Sequence, residues 1–273
     1  MINKESLMNF SKKIKDMNRI PIHVLEIHIV DHCNLKCKAC SHFSNIADEF
    51  FISPEDFANS LDIAKKRFKI YSFALMGGEP LLHPQLGELM TIARKKLPNT
   101  EIGLTTNGLL IDSISDNLWA KFIENNVKIN ISKYPVNSDN IAHLLDKVAE
   151  KNLLGRVYVK NYFRKYINLK GNSNRHLTYS QCYMNHCLIV KGDCLFKCPF
   201  SLYVGYFNKK FNTKIPVSSG LNLKTASNRQ IKEFIGNPIE SCDYCSFLTD
   251  EKAHFKWELS EGYMEEWCVD TVK

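Results

Sequence analysis

The sequence contains no run of about 18 apolar residues, so nothing in it reads as a membrane span. Its first residues, MINKESLMNFSKKIK, are too polar for the apolar core of a secretory signal and include Glu5, which leaves the cytoplasm as the expected location. Long basic blocks are missing as well. The net charge of +7 comes from 36 Lys and Arg against 29 Asp and Glu, scattered over Lys12, Lys13 and Lys15, then Arg164 and Lys165, then Lys209 and Lys210. There is also no aromatic–glycine pattern of an RNA-binding sheet. These absences speak against membrane and nucleic-acid partners. Solvated faces account for the charges, and some of them suit an anionic substrate.

What the chain does have is cysteine. Ten Cys in 273 residues, in a chain 44% hydrophobic and 24% charged, argue for metal or redox chemistry rather than disulfides in a reducing compartment. The length suffices for one large core, or a core with a small appended unit. Three of the ten stand in DHCNLKCKAC, directly after an apolar run, which spaces Cys33, Cys37 and Cys40 three and then two residues apart. Iron–sulfur clusters normally take four Cys, so three thiolates on a 4Fe-4S cluster leave one iron open for chemistry. The competing reading is a structural zinc with His32 or His42 as fourth ligand.

Downstream come MGGEP (Met76 to Pro80) and TTNG (Thr105 to Gly108). With the Cys motif they make residues 22 to 160 resemble the radical S-adenosylmethionine (SAM) superfamily. The resemblance implies an α/β fold, a partial (β/α)6 TIM-like barrel with a small C-terminal Cys-rich iron–sulfur domain. It implies SAM bound at the open iron, where the reduced cluster passes an electron to the sulfonium and releases a 5′-deoxyadenosyl radical. It places Gly77, Gly78 and Glu79 at the SAM amino group, with Pro80, Thr105, Thr106 and Asn107 also at the SAM site and Ser132 as a contact for carboxylate or ribose. A one-electron reductant such as flavodoxin or ferredoxin and a small-molecule substrate complete the expected partners. One departure stands out: the aromatic residue usual before the third Cys is Ala39 here, and Phe43 is the expected substitute for packing on the adenine.

Local patterns supply the elements. Leu7, Phe10, Ile14 and Met17 recur at helical spacing over residues 5 to 18. Pro21 to Val30 reads as a buried strand. Ser53-Pro54-Glu55-Asp56 starts a helix running to about Phe68. Strands at Ile70 to Leu75, Glu101 to Thr105, Val127 to Ser132 and Arg156 to Lys160 alternate with helices at Pro84 to Lys96, Ser115 to Asn125 and from a Ser138 cap to Lys151. That alternation implies right-handed βαβ units and a parallel sheet. Five strands are legible, and a sixth is not placed. After Gly171 helical periodicity fades until about Thr249, and Thr249 to Tyr263 reads as a helix covering one end. The implied division is an N-terminal helical extension (1–20), a radical SAM core (21–170), a Cys-rich unit (171–248) and a C-terminal helix and tail (249–273).

Cys182, Cys198, Cys242 and Cys245 resemble the ligands of the superfamily's auxiliary-cluster extensions, in which a Gly-containing hairpin (here LIVKGDCLFKCPF) precedes a CxxC. With Cys268 alone after Cys245, the pattern fits the shorter twitch form with one second 4Fe-4S cluster rather than the longer SPASM form. Cys187 competes with Cys182, and Cys194 with Cys198. A zinc ribbon on the same thiolates is the other reading. If the second cluster takes an electron from a substrate radical, the product is oxidised, as in a twitch-bearing dehydrogenase of an aminocyclitol. If a free thiol returns a hydrogen atom, the product is epimerised, and Cys187, Cys194 and Cys268 are the candidate donors. The expected substrate is a sugar, aminosugar or nucleotide-linked sugar, its anionic part meeting Arg164, Lys165 or Arg175. A peptide-modifying maturase and a non-catalytic metal-binding module are the alternatives.

Overall fold

A computed structural model describes residues 18–185, 187–246 and 253–269. The helix expected over residues 5–18 falls, up to residue 17, outside the described residues. The element that fixes everything else is β1 (Ile20–Val30), whose last six residues are all buried. It pairs in parallel with β2 (Phe68–Gly77) on one side and with β7 (Leu188–Lys191) on the other. A strand covered on both sides carries a near-continuous apolar run, and IHVLEIHIV is such a run apart from its glutamate and histidines.

Beyond β2 the sheet continues through β3 (Glu101–Thr106), β4 (Val127–Lys133) and β5 (Gly155–Val159), all parallel. Helices α1 (Pro54–Arg67), α2 (Leu86–Lys96), α3 (Asp116–Glu124) and α4 (Ile141–Glu150) make the crossovers. Helix α1 starts where its sequence says it should. The Ser53 hydroxyl accepts the Asp56 N–H at 3.0 Å, Pro54 takes the first position, and Glu55 and Asp56 face the positive end of the dipole. Its buried face of Phe57, Leu61 and Ala64 packs on the sheet beside Phe73, Leu75 and Leu89, and each large side chain so buried contributes about 1.5–3 kcal/mol.

The expected Ser138 cap is not formed. Residues Pro135–Asn140 make a 3-10 turn in which the Ser138 hydroxyl donates back to the Pro135 carbonyl at 3.0 Å, and α4 begins only at Ile141. Asn137 imposes that turn, because its side chain accepts the Tyr134 N–H at 2.8 Å and donates to the carbonyls of Asn107 and Ser132 at 2.7 and 3.0 Å. Helix α2 likewise starts two residues later than Pro84.

The sixth parallel strand is β7, supplied by the Cys-rich region and lying beside β1 rather than beyond β5. It turns into β8 (Cys194–Phe196), which pairs antiparallel with β7 and with β9 (Leu221–Asn222). Helices are not absent after Gly171: α5 (Arg175–Ser180), α6 (Pro199–Phe211) and α7 (Asn228–Gly236) occupy that stretch. A second apolar cluster of Phe43, Tyr166, Phe200, Phe207 and Trp267 joins this region to the loop after β1.

The expected C-terminal helix is also corrected. Residues 249–252 fall outside the described ones, and β10 (His254–Lys256) follows, antiparallel to β6 (Tyr162–Arg164). The chain then runs extended along the Cys33–Cys40 loop: Lys38 N–H donates to the Glu258 carbonyl at 3.0 Å and Ser260 N–H to the Lys36 carbonyl at 2.8 Å.

Candidate active site

All four parallel strands β1 to β4 release their chains at one edge of the sheet, where βα loops conventionally carry chemistry. The loop after β1 holds Cys33, Cys37 and Cys40, and the β2 exit holds Gly77 and Gly78. These glycines are required by space. A Cβ at Gly77 would stand 2.1 Å from the Val30 carbonyl oxygen, and one at Gly78 would stand 1.9 Å from that of His32. Gly77 also has φ +132°, which residues with a side chain rarely adopt. The pair lets Gly78 and Glu79 donate their N–H groups to Val30 and His32 at 2.7 and 3.1 Å, fixing the cysteine loop to the second strand.

Glu79 is fully buried and acts as a brace. One carboxylate oxygen accepts the Thr106 hydroxyl at 2.7 Å and the Leu81 N–H at 3.0 Å, and the other accepts the Asn107 N–H at 2.9 Å. Burial pushes its carboxyl up to about 7, against the pull of those three donors. Asn107 in turn donates to Asn34 at 2.8 Å and reaches Cys33 Sγ at 3.6 Å. Glu79 and Pro80 stand behind the cavity wall; Gly77, Gly78, Thr105, Thr106, Asn107 and Ser132 line it.

All ten cysteines are free thiols. Burial pushes Cys33 up to about 12 and raises Cys37 and Cys40 too, and the mutual charge repulsion of Cys33, Cys37 and Cys40 adds to it. Three thiols brought together on one loop and opening onto a cavity suit the iron of a cluster. Aromatic donors surround them: Trp257 Nε1 lies 3.2 Å from Cys37 Sγ, while Trp267 Nε1 and the Tyr166 hydroxyl donate to the Cys40 carbonyl at 3.1 and 3.3 Å.

The second set behaves alike. Burial, with the charges of Cys198 and Cys242, pushes Cys182 up to about 11; burial also raises Cys198, Cys242 and Cys245, and Cys245 is repelled by the other three. A 3-10 turn, Glu240–Tyr244, holds the CxxC pair. Cys194 has Asp193 as its charged neighbour and lies apart from these four. Lys197, 3% exposed over the Tyr179 ring at 3.9 Å, is pushed down to about 8 by burial.

Both sets of thiols line a single cavity of about 970 Å³, in which Cys33, Cys37 and Cys40 and Cys182, Cys198, Cys242 and Cys245 share one space. Arg156, Lys160, Arg164 and Lys197 bring positive charge to its wall. Among the described residues, no three His, Cys, Asp or Glu side chains gather round a point that would hold one metal ion.

Several expected residues stand elsewhere. Phe43 is fully buried among Tyr166, Phe200, Phe207 and Trp267 and is outside the cavity lining, so it is core rather than an adenine platform. Cys187, Cys194 and Cys268 do not line the cavity either; Cys187 is hydrogen-bonded to Glu26, and Cys268 is 2% exposed. Arg175 is paired with Asp243, at 2.9 Å from its Nε, and neither it nor Lys165 lines the cavity. Conversely, Glu26 lines it, and its carboxylate meets His28 Nε2 at 3.2 Å while His28 Nδ1 meets the Tyr203 hydroxyl at 3.0 Å. The signal for this buried chain was a glutamate and a histidine two apart on one face of an otherwise apolar strand. Trp257 and Asn137 carried no comparable signal.

A parallel α/β scaffold that opens three thiols on a glycine-clamped loop, facing four more across one cavity, defines a cysteine-rich α/β protein. Residues 27–156 match the Radical SAM superfamily, and the chain carries a radical SAM domain there. Curated relatives include a GTP 3′,8-cyclase of Microcystis aeruginosa, 28% identical over 130 residues (45% of this chain, 38% of that protein). A probable GTP 3′,8-cyclase of Saccharolobus solfataricus is 32% identical over 119 residues, 44% of this chain and 37% of that one. The chain thus spans less than two-fifths of the length of these relatives. Among solved structures, BtrN in complex with AdoMet and 2-DOIA is similar in fold, with a TM-score of 0.53 and 13% identity over 83% of this chain and 94% of that one. No helix among the described residues is long and apolar enough to cross a membrane.

Proposed function

We propose that the protein is a radical SAM enzyme with a second, auxiliary 4Fe-4S cluster, and that it oxidises a sugar, aminosugar or nucleotide-linked sugar. The observation that carries this reading is the single cavity shared by both thiol sets, since a substrate bound there would lie between them. Cys33, Cys37 and Cys40 would hold the first cluster, and Cys182, Cys198, Cys242 and Cys245 the second. When bound, the first cluster with SAM would supply hydrogen-abstracting radical chemistry, and the second a one-electron acceptor for the oxidation.

The chain's own residues bind, orient and move protons. Thr105, Asn107 and Ser132 present polar groups to SAM beside the glycine clamp, while Thr106 braces Glu79 behind it. Arg156, Lys160 and Arg164 favour an anionic portion of the substrate, such as a diphosphate. Glu26, with His28 and Tyr203 behind it, takes the hydroxyl proton from the carbon being oxidised. Oxidation is favoured over epimerisation because Cys187, Cys194 and Cys268 do not line the cavity, which leaves these thiols badly placed to return a hydrogen atom. The core would span 21–170 and the auxiliary unit 171–248, with flavodoxin or ferredoxin as reductant.

The relatives named GTP 3′,8-cyclase favour one second reading, a nucleoside triphosphate as substrate of a cyclisation. One assay separates the two. Anaerobically reconstituted protein is given SAM, reductant and a panel of deuterated sugars, sugar nucleotides and GTP. Deuterium entering 5′-deoxyadenosine with a keto product from a sugar supports the first reading. A cyclised nucleotide supports the second. A protein that binds metal but leaves SAM intact overturns both.

A further inference from the structure

We propose that Trp257 tunes the reduction potential of the cluster at Cys33, Cys37 and Cys40 by donating its indole N–H to the Cys37 sulfur. The inference rests on the ligand set proposed above. Its geometric basis is the 3.2 Å separation of Trp257 Nε1 from Cys37 Sγ, in a segment 220 residues away in sequence.

The donor is held from several directions. Trp257 N–H donates to the Asn161 carbonyl at 2.8 Å, and its ring lies 5.7 Å from that of Tyr134. The next residues follow the cysteine loop in antiparallel fashion: Leu259 bridges to Cys37, and Glu258 pairs with Lys38 through both backbone and side chain, the latter at 2.7 Å. An indole N–H is a donor only, so it has no second hydrogen-bonding state to adopt here. Asn107, the side-chain donor at Cys33, stands farther off at 3.6 Å and is shared with Asn34.

Reduction places more negative charge on a cluster and its sulfurs. A fixed hydrogen bond to one of those sulfurs stabilises the more negative state and moves the potential upward. Trp257 is therefore a positioning and tuning residue, which touches the ligand rather than the substrate. It makes the cluster easier for the reductant to charge while it moderates the driving force toward the sulfonium.

The test uses full-length protein, reconstituted anaerobically, with iron and sulfide counted before anything else. Trp257→Phe keeps the ring and removes the N–H. EPR-monitored redox titration should then find the midpoint of the first cluster shifted to more negative potential at undiminished iron content. An unchanged or more positive midpoint at full iron content overturns the proposal. Should the variant fail to take up iron, the wild type decides: tryptophan labelled with nitrogen-15 at the indole should give a nuclear coupling to the reduced cluster in pulsed EPR, and its absence overturns the proposal. A wild-type chain that takes no iron at Cys33, Cys37 and Cys40 contradicts the ligand set instead.

Discussion

The Glu79 carboxylate accepts the Thr106 hydroxyl at 2.7 Å and so ties the exit of the second strand to that of the third, with neither group in contact with solvent. Glu79→Ala would leave that hydroxyl and the Asn107 and Leu81 N–H groups without their acceptor. Each buried orphan costs about 1–3 kcal/mol, so we expect roughly 2–5 kcal/mol less stability in urea denaturation, after partial relaxation. SAM affinity, read by calorimetry on the folded protein, should fall about tenfold or more, because a displacement of 1.4 kcal/mol in the loop suffices for that.

At Gly78 the effect should be steric and local. An added methyl meets the His32 carbonyl at 1.9 Å, so Gly78→Ala must pry the Cys33 loop from the second strand. We expect that variant to lose iron at the first site while Ala at Gly236, where a Cβ meets nothing within 4 Å, keeps it. Iron counted after anaerobic reconstitution distinguishes them.

The choice among the C-terminal thiols is open to the same count. Cys182→Ser or Cys198→Ser should lower the iron content by about four per chain, the size of one cluster. Cys194→Ser and Cys268→Ser should leave it unchanged. If Ala at 187, 194 and 268 also leaves product formation intact, no thiol among them returns a hydrogen atom.

Phe43→Ala should act on stability alone. Its ring is fully buried among four aromatic neighbours, and such truncations cost about 3–5 kcal/mol. Denaturant titration should show the loss, and the SAM affinity of the folded protein should stay within about threefold of the wild type.

His83 should give a pH signature. Its Nε2 donates to the Ile52 carbonyl at 2.9 Å and its Nδ1 accepts the Gln85 N–H at 3.1 Å, which fixes the neutral ring, and burial lowers its pKa from the ordinary 6.5. The folded chain therefore binds fewer protons here than the unfolded one below pH 6.5. Stability contributed by His83 is present above that value and is lost as pH falls below it. Thermal melts at pH 7.5 and 5.5 should show a smaller acid-side drop in His83→Gln than in the wild type.

Strands β1 to β5 and helix α1 were legible because local rules decide them. An apolar run, a Ser-Pro start with acids behind it and a glycine-marked exit each act within a few residues. The cysteine motif and the GG pair were legible for the same reason. What escaped depends on distant partners. β7 is a parallel strand because β1 offers it a free edge, Asn137 overrides the Ser138 cap by reaching Asn107, and residues 254–260 are extended because β6 pairs with 254–256 and the cysteine loop with 258–260. Phe43 was misread since proximity in sequence to the ligands does not say which way a ring turns, and here the aromatic cluster around Trp267 claims it.

The pairing of Lys36–Lys38 with residues 258–260 has a bearing on biogenesis. During synthesis the three thiols leave the ribosome some 220 residues before the strand that will cover them. Throughout that interval the loop lacks its Trp257 donor and its outer wall, so it cannot reach its folded geometry until residues 257–260 have been made. The shape of the cysteine loop is thus settled late in synthesis, with residues 258–260 acting as the latch.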